Sequence, residues 1–145
     1  MKILVLNGPN LNLLGIRDPE VYGYESLNDL ENWLNKQPET DNCTLSWFQT
    51  NHEGHLIDKI HSVIGNNTDG IIINPGALTH YSYALRDAID SVEIPTVEVH
   101  LSNIYAREDF RKKSVIKDVC IGQLTGLGKK GYLQGFQMLL KYLNR

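Results

Sequence analysis

Five short apolar runs are spaced along the chain, and between them apolar residues recur at the three- and four-residue spacing of helices. Lys2 to Leu6 is a compact aliphatic run without period-2 alternation, the pattern of a strand covered on both faces. Cys43 to Gln49 gives a second strand, Gly70 to Ile73 a short buried third, Thr96 to Leu101 a fourth after Pro95, and the stretch near Val119 to Leu124 a fifth. Ser26 followed by Asp29 reads as a capping box for a helix that places Leu27, Leu30, Trp33 and Leu34 on one face and runs to about Pro38. Leu56, Ile60, Val63 and Ile64 mark a second helix, and Tyr83, Ala84, Ala88, Ile89 and Val92 a third. A closing helix carries Tyr132, Phe136, Leu139, Leu140 and Leu143 on one stripe.

Strands that alternate with helices predict a mostly parallel, doubly wound α/β sheet. Right-handed crossovers leave few arrangements of its strands. The reading is a flavodoxin-like, five-stranded parallel sheet of order 2-1-3-4-5, with residues 1–145 forming a single catalytic domain. One connection is unusual: the Gly- and Pro-rich stretch from Asn7 to Tyr24. Connections longer than about 12 residues in a compact domain are usually functional, so a mobile lid loop is expected over about residues 10–24.

Composition narrows the class. A chain of 145 residues should bury about two-thirds of its unfolded surface without help from a disulfide or metal. A net charge of −3 supplies no broad basic face for nucleic acid. No segment approaches the roughly 20 apolar residues of a membrane span, and the first residues lack the pattern of a secretory signal. Cys43 and Cys120 both fall within expected strands, as reduced, packed thiols of a cytoplasmic protein would. The two sequons, at Asn42 and Asn66, carry no meaning without a secretory route.

The polar clusters follow the strands, where ligands bind in open α/β sheets. Glu98 and His100 lie two apart on strand four, so one face holds both, with the carboxylate orienting the imidazole as a general acid. A charged rim pair is the alternative; the adjoining Ser102-Asn103 turn and two downstream arginines favour function. Tyr22 lies in the lid five residues after Arg17. A free tyrosine, with a pKa of about 10, is ionised in about one molecule in a thousand at pH 7. One cation at about 4 Å favours its anion by roughly 4 kcal/mol at an effective dielectric of about 20, less in open solvent. Arg17 and Arg107 are the cations available. Decoration of a surface loop is nevertheless the commoner fate of such a pair. Asn10 and Asn74 flank the expected switch point and read as binding groups for an oxyanion or a water, whereas Asn12 reads as a turn residue. His80, six residues after Asn74, serves either as a plain helix-start residue or as a substrate contact.

Two motifs are set aside. Gly126-Leu-Gly-Lys-Lys-Gly131 fits a dinucleotide fingerprint but follows the last strand, with no acidic residue about 20 positions on. It reads as a tight strand-to-helix turn. His52-Glu-Gly-His55 has no further Cys or His cluster to complete a metal site. No metal is expected.

Together, Asn7 to Gly15, Arg17 to Gly23, Asn74 to Ser82, Glu98 to Arg111 and the terminal Gly-x-Gly-x-x-Gly-Tyr resemble the type II 3-dehydroquinate dehydratases over about Leu4 to Leu140. The resemblance implies a flavodoxin-like fold, a dodecamer of trimers, no metal or organic cofactor, and a small-molecule substrate, 3-dehydroquinate, from the shikimate pathway. It implies anti elimination of water through an enolate. In that reading Tyr22 is the base, Arg17 and Arg107 favour its anion, Asn10 and Asn74 manage the enolate and a water, and His100, backed by Glu98, is the acid. Leu101 and Ser102 match a carboxylate pocket, His80 and Arg111 match hydroxyl-binding positions, and Asp87 resembles a residue reaching in from a neighbouring subunit.

Two departures stand out. Asp18 replaces a glutamate, and Lys112 to Asp118 lacks a histidine and a Ser-Pro pattern; neither is expected to touch the chemistry. An FMN-binding module of the same fold is the rival from another class, but Asn7 to Gly15 has no Ser or Thr to offer phosphate. A catalytically dead member of the same family is the other rival, and intact Tyr22, Arg17 and His100 count against it.

Overall fold

A computed structural model describes residues 1–145. Its five strands are β1 (Lys2–Asn7), β2 (Thr44–Gln49), β3 (Gly70–Asn74), β4 (Thr96–His100) and β5 (Gly122–Thr125). All neighbours pair in parallel, in the order β2-β1-β3-β4-β5. The order expected from the sequence is the order found.

The helices are α1 (Pro19–Tyr22), α2 (Leu27–Asn35), α3 (Glu53–His61), α4 (Tyr83–Val92) and α5 (Lys130–Leu143). Alternation along the central strands feeds two cores. Leu4, Leu6, Ile71 and Ile73 pack with α3 and α4 on one face. Ile3, Val5, Ile72, Val97 and Val99 pack with α2 and α5 on the other. A parallel sheet buried on both faces needs aliphatic runs rather than alternation, which is why β1 and β3 are apolar almost throughout.

The first helix of the periodic set forms for a local reason. Ser26 Oγ accepts from the Asp29 backbone N–H at 3.1 Å while the Asp29 carboxylate accepts from the Ser26 N–H at 2.9 Å, closing the capping box. Several ends differ from expectation. This helix stops at Asn35, short of Pro38. The next stops at His61, so Val63 and Ile64 fall beyond it in a turn and Ile64 is exposed. Cys43 and Cys120 precede their strands rather than lying in them, and β5 starts three residues later than expected. Val119 closes a 3-10 turn and, with Cys120, packs on the α3/α4 core; the apolar run there serves packing before it serves pairing.

The connection after β1 is no bare loop. It holds a 3-10 turn, Leu11–Leu13, and the helix α1, and its base is anchored by buried Leu11 and Leu14. No helix is long and apolar enough to cross a membrane.

Candidate active site

Two loops meet at the C-terminal ends of β1 and β3, and glycine makes the meeting possible. A Cβ on Gly8 would sit 2.6 Å from the Pro75 carbonyl oxygen, and one on Gly76, whose φ is +58°, would sit 2.9 Å from that of Pro9. Only chains without side chains at these points can approach so closely. The contact brings Asn10 and Asn74 to one cleft. Asn10 has a φ of 69°, and its backbone N–H donates to Asn51 Oδ1 at 2.9 Å, so a left-handed turn presents it.

The cleft encloses about 610 Å³ of non-atom space, counting its open mouth. Arg17 and Tyr22 enter from the connection after β1, His80 from the 3-10 turn after β3, and His100, Leu101, Ser102, Arg107 and Arg111 from β4 and the loop beyond it.

Tyr22 is the last residue of α1 and packs on the α2/α5 core. Arg107 donates an N–H to its phenol oxygen at 2.7 Å and another contact to Ser102 Oγ at 3.2 Å. The guanidinium carbons of Arg17 and Arg107 lie 5.1 and 5.3 Å from the Tyr22 ring centroid. Two cations therefore crowd one phenol, and one of them hydrogen-bonds its oxygen. Tyr22 and Arg107 are 85 positions apart in the chain.

His100 arrives from the opposite face of the sheet. Val97 and Val99 face the α2/α5 core, so strand alternation turns Glu98 and His100 the other way. Glu98 is fully buried, and its carboxylate accepts from His100 Nε2 at 2.6 Å, Gln123 Nε2 at 3.1 Å, and the hydroxyls of Thr79 and Ser114. A carboxylate so surrounded by donors holds a proton on Nε2 and leaves Nδ1 as the nitrogen available to the cleft. Burial pushes the Glu98 carboxyl up. The His100 hydrogen bond and charge and the two hydroxyls outweigh it, and hold the group below the usual carboxylate range.

That balance has a measurable result. A carboxyl whose folded value lies below its unfolded one adds its full stabilisation above about pH 4.5, and loses it as pH falls through the folded value. A Glu98→Gln variant cannot titrate there. Denaturant unfolding between about pH 2 and 5 should show a shallower pH slope for the variant than for the parent. Equal slopes would mean that Glu98 does not carry this linkage.

His80 Nδ1 donates to the Lys113 carbonyl at 2.7 Å, which leaves Nε2 an acceptor in the neutral ring. Burial holds its imidazole below the ordinary value; the Lys113 carbonyl opposes this, and the charges of His100 and Arg111 add to it. A neutral ring with a free acceptor suits a substrate hydroxyl. Arg111 is braced by Glu108 at 2.5 Å and stacks on Phe110.

Two placed residues stand apart from the cleft itself. Glu98 lies behind His100, and Asp87 is exposed on α4, away from this chain's own cleft. The sequence reading also missed several partners. Thr79 sits inside the Asn74 to Ser82 cluster and was findable there. Ser114 carried no signal, and it overturns the expectation that Lys112 to Asp118 avoids the chemistry: Ser114 donates to both Glu98 oxygens, and the Lys113 carbonyl holds His80. Asp18 likewise lies 3.9 Å from Arg17 and stands just before α1 in a left-handed conformation, without a side-chain hydrogen bond to the helix.

The fold and cleft together define a flavodoxin-like enzyme equipped for proton transfer, with a phenol between guanidiniums and an imidazole on a buried carboxylate. The chain belongs to the class II dehydroquinase family, which it matches over residues 1–140. It is 56% identical over 142 residues to the 3-dehydroquinate dehydratase of Caldicellulosiruptor saccharolyticus, with 98% of each chain covered. It is 54% identical over 137 residues to that of Bacillus subtilis, covering 94% of this chain and 92% of the relative. The crystal structure of the type II dehydroquinase of Butyrivibrio crossotus superposes with a TM-score of 0.93 at 53% identity, covering 97% of both chains.

Proposed function

We propose that this chain is a 3-dehydroquinate dehydratase, a hydro-lyase of the shikimate pathway that removes water from 3-dehydroquinate by anti elimination through an enolate. The observation that carries the mechanism is the Arg107 N–H on the Tyr22 oxygen at 2.7 Å, in the same cleft as His100 held by Glu98. A proton beside a ketone needs a base, the enolate needs donors, and a departing hydroxide needs an acid.

Tyr22, as the phenolate favoured by Arg17 and Arg107, takes the α-proton. The electron pair of the broken C–H bond passes into the enolate, whose oxygen Asn10 and Asn74 serve with an ordered water. The enolate then re-forms the ketone and a carbon–carbon double bond as the C–O bond breaks, and the leaving hydroxyl departs as water with the Nδ1 proton of His100 in its imidazolium form, Nε2–H staying on Glu98. Tyr22 and His100 return to their starting states by exchange with solvent. The Leu101 backbone and the Ser102 hydroxyl hold the substrate carboxylate, and His80 and Arg111 hold its hydroxyls. Asp87, remote from its own cleft, completes that of a neighbour in a trimer, and four such trimers form a dodecamer. Residues 1–145 act as one catalytic domain with a lid over about 10–24.

The test is direct. Purified protein mixed with 3-dehydroquinate should generate the ultraviolet absorbance of a conjugated enone, at the same rate with and without a metal chelator. A flat trace would overturn the assignment, and chelator inhibition would overturn its metal-free form.

A further inference from the structure

One buried group touches the site and has no place in the elimination. Tyr132 is fully buried near the start of α5, where Gly131 lets that helix lie close on β4: a Cβ there would come 3.3 Å from Val99 Cγ1. Its hydroxyl reaches the ends of both central strands. Asn74 Nδ2 donates to the phenol oxygen at 3.0 Å, and the phenol donates to Asn7 Oδ1 at 2.6 Å. Asn7 is itself fully buried.

The direction of every bond in this chain follows from one backbone group. The Gly76 N–H, 3.2 Å from Asn74 Oδ1, can only donate, so the carbonyl end of that amide must face it. Asn74 Nδ2 then faces Tyr132, whose oxygen must accept. The single phenol proton therefore goes to Asn7. Turning the Asn74 amide over would set N–H against N–H at Gly76, and turning Asn7 over would leave the phenol proton without an acceptor. Asn7 Nδ2 has no partner, so nothing competes for that amide.

We propose that Tyr132 is a positioning residue for the reaction: by accepting one N–H of Asn74 it leaves the second as the group Asn74 presents to the cleft. Through that N–H Asn74 donates to a substrate or enolate oxygen. This rests on the dehydratase reading above. Burial drives the Tyr132 phenol far upward, with the Asn74 hydrogen bond opposing it only in part, so the group stays protonated throughout the working range.

The experiment is a double-mutant cycle on the full chain with 3-dehydroquinate as substrate. Tyr132→Phe should lower kcat by about tenfold or more while KM moves by less than about threefold, because an amide aimed at a developing charge acts on the transition state. In an Asn74→Ala background the same change should cost no further kcat, since there is no amide left to aim. An unchanged kcat, or the same fold-loss in both backgrounds, would overturn the proposal and reduce Tyr132 to a packing residue. Should Tyr132→Phe fail to fold, Tyr132→4-aminophenylalanine keeps the ring and a donor to Asn7 Oδ1 while removing the oxygen that accepts from Asn74. The same split is expected there, and unchanged kcat would again overturn the proposal. A parent enzyme without dehydratase activity sinks the functional reading; an active parent with an indifferent Tyr132→Phe variant sinks this inference alone.

Discussion

A Tyr22→Phe variant should lose about three orders of magnitude or more in kcat while unfolding at nearly the parent's denaturant concentration. The change removes the oxygen that takes the proton and the acceptor for Arg107, and leaves the ring that packs on the α2/α5 core. KM should change far less, because the carboxylate and hydroxyl contacts assigned to Ser102, His80 and Arg111 remain. Arg17→Ala should act in the same direction, one of the two cations at the ring being lost. Steady-state kinetics decide: near-native turnover in the Tyr22→Phe variant would remove the proposed base.

His100→Ala should slow the elimination by about two to four orders of magnitude, the range that a positioned general acid supplies. It should not stop proton removal. With Tyr22 intact, the substrate left in heavy water should still exchange its α-proton while little enone forms. If exchange and elimination fall together, His100 serves proton abstraction as well, and the division of roles fails. The same variant leaves the Glu98 carboxylate buried with one donor fewer, so some loss of stability accompanies it: about 1.5–3 kcal/mol for one hydrogen bond to a charged group.

Several parts of the molecule were legible without coordinates. β1 and β3 are aliphatic because both their faces are covered, the Ser26–Asp29 box closes within three residues, and the stripes of α4 and α5 repeat at helical period. Alternation and handedness left few strand orders, and the favoured one, 2-1-3-4-5, is the one found. Glu98 and His100 could be paired because strand geometry sets two residues apart on one face. What escaped were element ends and partners from elsewhere. Val119 reads as strand by composition, yet the chain turns there before pairing. Ser114 looks like any loop serine until the loop folds over Glu98.

Period and capping are local properties, carried by residues within about two turns of one another, so the sequence alone determined the elements, their order and the loops that bear polar groups. Which groups meet was decided by the packed chain. Arg107 reaches Tyr22 across 85 positions, and Tyr132 reaches Asn7 across 125. The physical reason is that a hydrogen bond depends on distances of a few tenths of an ångström and on which way a donor points. Those are set only when the loops after β1, β3 and β4 have been drawn together by the burial of both faces of the sheet.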